Sequence, residues 1–159
     1  MIGELGKTVF VRHGKYDHQT GELTDEGRED AIAAAREIGF PGIILSSSAL
    51  RAAQTSEIIA ETLGIDRVTK SDLIEKAGND RTVVKDLTKV IRVALALDGV
   101  AYEGRGGLIV VAHEPLVTAA RYAGRTKGVN IIMKADFGEV VETDLTAWEN
   151  DRYASIFAV

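Results

Sequence analysis

Four side chains that could act on a phosphoryl group follow short apolar runs in this sequence. Arg12 and His13 come after residues 8–11, Arg51 comes after 43–45 and three serines, and His113 comes after 108–111. Each run has the composition of a buried β-strand. Because the carboxyl ends of parallel strands meet at one edge of a sheet, we expect these four side chains to lie together there.

The chemistry open to such a group is phosphoryl transfer. Guanidinium groups are permanently charged forks that match phosphate oxygens, and their charge lowers the pKa of a nearby histidine. A neutral imidazole can attack phosphorus and form a covalent phosphohistidine, while the arginines and the second histidine stabilise the charge on the phosphoryl oxygens. Helix starts at Ser48 and Pro115 would add backbone donors, and Gly14 would let the main chain approach the phosphate.

Helical and strand-like segments alternate along the chain that must hold these residues. Apolar periodicity and capping residues predict helices from Thr24 to Gly39, from Ser48 to Gly64, from Val84 to Leu97 and from Pro115 to about Gly124. Strands are predicted at 8–11, 43–45, 68–74, 108–111, 131–133, 140–145 and 153–159. This alternation predicts an α/β fold, a three-layer α/β/α domain with a mostly parallel central sheet.

The composition is that of an ordinary globular domain. The 159 residues fit a single domain over 1–159, with 45% hydrophobic and 27% charged residues. A net charge of −5 argues against non-specific binding to nucleic acid or to an anionic membrane. No apolar run approaches the roughly 18 residues of a membrane span, and residues 1–7 lack the apolar core of a signal peptide. We therefore expect a cytoplasmic protein with no nucleic-acid or membrane partner, and the oligomeric state stays open.

Metal binding has little support in the sequence. The absence of cysteine excludes disulfides, thiolate metal sites and a catalytic thiol. Asp17 and His18 could join His13 as metal ligands, but no paired carboxylates of a two-metal site accompany them. His18 is better interpreted as a surface loop residue, so we expect no metal and no cofactor.

Four segments resemble the motifs of the histidine phosphatase (phosphoglycerate-mutase-like) superfamily. They are Val11-Arg12-His13-Gly14 for RHG, Leu23-Thr24-Asp25-Glu26-Gly27 for LTxxG, Ser46 to Thr55 for SS-x-x-x-R-A-x-x-T, and Val111-Ala112-His113 for the second histidine. The motifs occur in the family's order and span residues 9 to about 118, whereas the final 40 residues carry none. The resemblance implies a phosphoglycerate-mutase-like fold.

The resemblance also implies roles for individual residues. His13 would be the phosphorylated nucleophile, and Arg12, Arg51 and His113 would form the rest of the phosphate pocket. Glu75, with Asp72 and Asp80 as neighbours, would be the acid that follows the third strand. The family's arginine before the LT pair is replaced by Gly21-Glu22, so that phosphate contact is missing, and Lys15 and Arg28 are the candidates to replace it. The substrate-binding set would then be Arg12, Gly14, Lys15, Arg51 and His113.

The chain leaves little room between residues 64 and 106 for a helical insertion covering the site. In this compactness, and in residues 113–117, it is similar to the SixA-type phosphohistidine phosphatases. This similarity implies a metal-independent phosphatase that removes phosphate from phosphohistidine on a protein. Two alternatives stay open: a small-molecule phosphomonoesterase acting on a sugar phosphate or similar ester, and a phosphate-binding regulatory module with little turnover.

Overall fold

The computed structural model describes residues 8–79, 87–100, 107–114, 117 and 136–143. In chain order the elements are β1 Thr8–Arg12, α1 Asp25–Ile38, β2 Ile43–Ser47, α2 Leu50–Leu63, β3 Val68–Ser71, α3 Asp72–Asn79, α4 Leu87–Leu97, β4 Leu108–Ala112 and β5 Val140–Thr143. The predicted helix from 115, the predicted strands at 131–133 and 153–159, and residues 84 and 144–145 lie outside the described part, apart from Val117.

The strands form one sheet in the order β3-β2-β4-β1-β5. β1, β2, β3 and β4 run parallel to their neighbours, and β5 pairs antiparallel with β1. Helices flank the sheet, so the predicted three-layer α/β/α fold with a mostly parallel sheet is confirmed.

Side chains alternate between the two faces of the sheet. Val9, Ile44 and Ile109 share a register row and belong to a buried cluster with apolar residues of α1 and α2. The next row points to the opposite face, where α3 contacts β2, β4 and α4. Its members Phe10, Leu45 and Val110 are completely buried. This burial on both faces explains the continuous apolar runs of β1, β2 and β4.

Helix α1 begins and ends where its sequence predicts. The Thr24 hydroxyl accepts a hydrogen bond from the Gly27 amide at 3.0 Å, which satisfies a free donor of the first turn. Asp25 and Glu26 lie at the positive end of the helix. Gly39 ends it in a left-handed conformation with φ of 68°.

Helix α2 begins one residue later than expected, and Ser48 is not its cap. Ala49 holds the N-cap position, and its side chain makes no capping hydrogen bond. The Ser47 hydroxyl accepts a hydrogen bond from the Ala49 amide at 3.2 Å, which satisfies one backbone donor at the start of the helix. Ser48 is instead engaged by carboxylates of α3. Prediction of Ser48 as the cap was therefore wrong.

The predicted strand over 68–74 is also wrong in its second half. β3 ends at Ser71, and α3 begins at Asp72. The Ser71 hydroxyl accepts a hydrogen bond from the Leu73 amide at 3.2 Å, and the first turn of α3 carries Asp72 and Glu75. Glu75 is therefore a helical residue rather than part of a loop after the strand.

None of the helices within the described residues combines the length and apolar character needed to cross a membrane.

Candidate active site

The carboxyl ends of the central strands bring the predicted site residues together. Arg12 ends β1 and His13 follows it. The His13 amide donates to the Ala112 carbonyl at 3.2 Å, which fixes the end of β1 against the end of β4. His113 follows β4 directly, and its ring lies 5.1 Å from that of His13, measured between centroids.

The imidazole of His13 is held in a defined tautomer. Its Nδ1 lies 2.9 Å from the Gly14 carbonyl oxygen. A carbonyl only accepts hydrogen bonds, so Nδ1 carries the proton and Nε2 presents a lone pair. Arg51 Nε donates to that nitrogen at 3.4 Å. His13 is only 4% exposed, so Nε2 lies in a largely dry pocket beside a fixed cation.

His113 is buried on the opposite side of the pocket. It is 2% exposed, and its Nε2 lies 2.6 Å from the Ser47 hydroxyl. Its Nδ1 is buried and has no hydrogen-bond partner among the described residues. A buried polar atom of this kind suits a ligand that completes its hydrogen bonding.

Both histidines have a strongly lowered pKa. Burial lowers the pKa of His13 to about 4, and the charges of Arg51 and Arg12 add to the effect, although the Gly14 hydrogen bond opposes it. Burial also lowers the pKa of His113 to about 3, helped by His13 and the same two arginines. Both imidazoles are therefore neutral near pH 7.

Two aromatic rings that the sequence analysis missed complete the pocket. The Arg12 guanidinium lies over the Phe137 ring, 4.2 Å from its centroid, and the Arg51 guanidinium lies over Tyr16 at 4.8 Å. Both rings also contact His13, with centroids 5.2 Å away for Tyr16 and 5.8 Å away for Phe137. Phe137 lies far along the chain and outside every motif, so no sequence signal connected it with His13.

Gly14 lies where the loop after β1 meets both α1 and α2. Its amide donates to the Thr55 hydroxyl at 3.1 Å. A Cβ at Gly14 would lie 2.4 Å from the carbonyl oxygen of Gly27, and a Cβ at Gly27 would lie 1.9 Å from that of Lys15. The two glycines therefore allow the loop after β1 to touch α1, and a direct contact of Gly14 with phosphate stays a prediction.

Glu75 hydrogen-bonds Ser48, and the preceding residue, Ser47, hydrogen-bonds His113 in the pocket. Its Oε2 lies 3.0 Å from the Ser48 hydroxyl, which also hydrogen-bonds Asp72. Ser48 follows Ser47, the partner of His113. Asp80, the third acid considered, lies outside the described residues.

None of the contacts described for Lys15 or Arg28 places either side chain in the pocket as a replacement for the missing phosphate-binding arginine. The Lys15 ammonium binds the Glu26 carboxylate at 2.9 Å, and its side chain is 51% exposed. That hydrogen bond raises the pKa of Lys15. Arg28 is exposed on the first turn of α1. The participation of either residue in phosphate binding stays a prediction.

The alternative metal site is not assembled in the described part of the chain. His18 is exposed and packs on Tyr16 with ring centroids 4.6 Å apart. The Asp17 carboxylate accepts a hydrogen bond from the Gln19 amide at 2.7 Å. The described residues contain no group of three His, Cys, Asp or Glu side chains placed to hold a metal ion.

Comparison with known proteins places this pocket in a family context. Residues 8–86 match the model of the histidine phosphatase superfamily, branch 1. A search of curated proteins gives no match.

Solved structures with the same fold include enzymes with different substrates. A mycobacterial glucosyl-3-phosphoglycerate phosphatase with VO3 has a TM-score of 0.60 at 20% identity, over 86% of this chain and 92% of that one. The protein histidine phosphatase SixA with tungstate has a TM-score of 0.57 at 21% identity, over 86% and 94%. A phosphoserine phosphatase from Entamoeba histolytica with 3-phosphoglyceric acid also has a TM-score of 0.57, at 15% identity, over 86% and 89%.

The family match covers the segment that carries Arg12, His13 and Arg51, and the shared fold extends over most of the chain. This chain belongs to the histidine phosphatase superfamily and is an enzyme of the phosphatase class.

Proposed function

We propose that the protein is a cytoplasmic, metal-independent phosphatase that forms a phosphohistidine intermediate on Nε2 of His13, and that its substrate is phosphohistidine on another protein. The tautomer of His13 carries this proposal. Because the Gly14 carbonyl binds the Nδ1 proton, the lone pair lies on Nε2, beside Arg51. With its pKa lowered to about 4, mainly by burial, this nitrogen is unprotonated near neutral pH.

In the first step, Nε2 of His13 attacks phosphorus opposite the leaving group. The bond from Nε2 to phosphorus forms as the substrate's phosphorus–nitrogen bond breaks, and the departing imidazole keeps the electron pair and takes up a proton. The guanidiniums of Arg12 and Arg51 stabilise the charge on the phosphoryl oxygens. His113, which is neutral, would donate one hydrogen bond to a phosphoryl oxygen through its unpartnered Nδ1, while the Ser47 hydroxyl donates to its Nε2.

In the second step, water attacks phosphorus on the intermediate. The phosphorus–Nε2 bond breaks, inorganic phosphate leaves, and His13 recovers its lone pair. The proton released by water returns to the group that protonated the leaving group. The Gly14 carbonyl keeps the Nδ1 proton in place throughout.

We assign proton donation to Glu75. Its Oε2 accepts a hydrogen bond from the Ser48 hydroxyl at 3.0 Å, and Ser48 follows Ser47, the partner of His113. A carboxyl group near the pocket can supply the proton that the departing atom takes up.

The substrate class follows from the leaving group and from the size of the chain. The phosphorus–nitrogen bond of phosphohistidine needs less help from an acid than an alkyl phosphate ester. We further propose that residues 1–159 form one domain without a covering insertion, which leaves the pocket open to a phosphorylated side chain of a partner protein. The likeness of fold to the protein histidine phosphatase SixA supports this choice.

The test is hydrolysis of a histidine-phosphorylated protein by wild type and by His13→Ala, with EDTA present. We expect phosphate release by wild type only, and a covalent phosphoryl label on wild type only. His18→Ala is the matched control, because His18 is an exposed histidine of the same loop, and it should keep activity. Loss of wild-type turnover on adding EDTA would contradict the metal-independent mechanism.

A second candidate is a small-molecule phosphomonoesterase. The two carboxyl groups at Ser48 favour it, because an alkoxide leaving group requires a proton donor. A panel of sugar phosphates and phosphoglycerates, compared with the phosphohistidine protein, decides between the substrates. A larger kcat/KM for the esters would replace the first candidate, and phosphate binding without any turnover would indicate a regulatory module.

A further inference from the structure

Each pocket arginine lies on an aromatic ring, and both rings also contact His13. Arg51 stacks over Tyr16 and Arg12 stacks over Phe137. The rings come from separate parts of the chain: Tyr16 belongs to the loop after β1, and Phe137 belongs to the turn before β5. An arginine stacked on an aromatic ring therefore occurs twice beside His13, and the two rings come from separate segments.

Both rings are fixed by backbone contacts of their own segments. Tyr16 forms an isolated β-bridge with Leu23. The amide of Gly138, next to Phe137, donates to the carbonyls of Arg12 and His13 at 2.9 and 3.3 Å. These contacts restrain the backbone of both ring-bearing segments next to the pocket.

A fixed ring face restrains a guanidinium in a way that a hydrogen bond to phosphate does not. Stacking uses the face of the guanidinium, whereas an anion is bound by the in-plane N–H groups, so the two contacts do not compete. An arginine side chain that is already ordered loses less conformational entropy when it binds an anion. The rings thus order the two arginine side chains before the ligand binds.

We propose that Tyr16 and Phe137 are positioning residues that hold the Arg51 and Arg12 guanidiniums ready for the phosphoryl group. In this assignment each ring acts through its arginine, although both rings also lie beside His13. The inference rests on the proposed function, since it assumes that the two arginines bind the phosphoryl group.

A double-mutant cycle tests it, with inorganic phosphate as the probe and isothermal titration calorimetry as the measurement. Tyr16→Leu should weaken phosphate binding roughly 3- to 30-fold in the wild-type background. In the Arg51→Ala background the same change should weaken binding less than about twofold, because the ring no longer has a guanidinium to hold. Phe137→Leu should behave in the same way with Arg12→Ala.

Ring-preserving variants serve as controls. Tyr16→Phe and Phe137→Tyr should bind phosphate within about twofold of wild type, because the stacking face remains. Thermal unfolding of each variant establishes that it is folded, and kcat/KM on the best substrate should follow the loss of phosphate affinity.

The outcomes separate the two proposals. Equal weakening by Tyr16→Leu in both backgrounds, with normal turnover by wild type, would overturn the positioning role and leave the phosphatase intact. Unchanged binding by Tyr16→Leu would do the same. A wild-type protein that neither binds phosphate nor releases it from any substrate would overturn both.

Discussion

The Gly14 carbonyl and the Arg51 side chain act on opposite nitrogens of the His13 ring. The carbonyl fixes the proton on Nδ1, and the guanidinium disfavours a second proton on Nε2. The ring therefore needs no separate general base to become a nucleophile. His13 can act alone because the Gly14 carbonyl keeps Nδ1 protonated, while Nε2, beside Arg51, stays unprotonated.

The pH dependence of His13 follows from its pKa of about 4. We expect its ring to stay neutral from pH 8 down to about 5 and to titrate near pH 4. Two-dimensional ¹H–¹⁵N spectra of the imidazoles would follow both ring nitrogens directly. A midpoint near 6.5, the value of an unperturbed histidine, would contradict the environment described for the pocket.

Stability should respond to acid in the same range. Both folded-state pKa values lie below 6.5, so the unfolded chain binds more protons between about pH 3 and 6.5. Neither histidine reduces the stability above pH 6.5; the stability falls as the pH drops below 6.5 and stops falling once the pH is below the folded pKa values. At pH 5 the loss is on the order of 2 kcal/mol per histidine. Urea unfolding at pH 7 and pH 5 should show a smaller difference for His13→Asn than for wild type.

Arg51 supplies charge next to the nucleophile. Arg51→Ala should lower kcat by about 30- to 10³-fold, equivalent to roughly 2–4 kcal/mol of transition-state stabilisation. Arg36, which is exposed in the last turn of α1, provides the matched control, and Arg36→Ala should leave turnover unchanged. Normal turnover by Arg51→Ala would remove Arg51 from the site.

At the scale of elements, the loop after β1 is positioned by its contact with α1. The Thr24 amide donates to the Lys15 carbonyl at 3.0 Å, next to the point where Gly14 and Gly27 touch. The Thr55 hydroxyl, which receives the Gly14 amide, donates to the Arg51 carbonyl at 2.8 Å. The start of α1 and the first turns of α2 thus set the place of the nucleophile together.

Gly27→Ala tests this contact. The new methyl group would meet the Lys15 carbonyl at 1.9 Å, so α1 or the loop must move. We expect a loss of about 1–3 kcal/mol in the free energy of unfolding, measured in urea, and a parallel fall in activity. Gly64→Asn is the control, since that position is left-handed and its Cβ would meet nothing within 4 Å. A Gly27→Ala protein as stable as wild type would contradict the close approach.

Sequence patterns predicted the elements that are simple in composition. The continuous apolar runs of β1, β2 and β4 identified buried strands, and the residues following them identified four side chains that the structure brings together. Residues 72–74 were assigned to a strand because α3 is short and its apolar residues extend the pattern of β3. Tyr16 and Phe137 could not be predicted, because their proximity depends on how β5 pairs with β1.

At the scale of the whole molecule, β4 and β1 lie at the centre of the described sheet and end at the pocket. Their amides should exchange with deuterium most slowly, because reaching them requires the sheet to open. We expect Phe10 and Val110 to be among the slowest and Thr69, on β3 at one edge of the described sheet, to be faster. Hydrogen exchange followed by mass spectrometry or NMR measures this order. Equal protection of β3 and β1 would contradict it.

The arrangement of β1 between β4 and β5 has a consequence for the newly made chain. A polypeptide that has left the ribosome only as far as residue 86 already contains Arg12, His13 and Arg51. It still lacks His113 and Phe137, as well as both strands that border β1. His13 is therefore synthesised early but cannot be enclosed in its pocket until the turn before β5 has emerged. A nascent chain of this length holds the proposed nucleophile without two of the side chains that surround it in the folded protein.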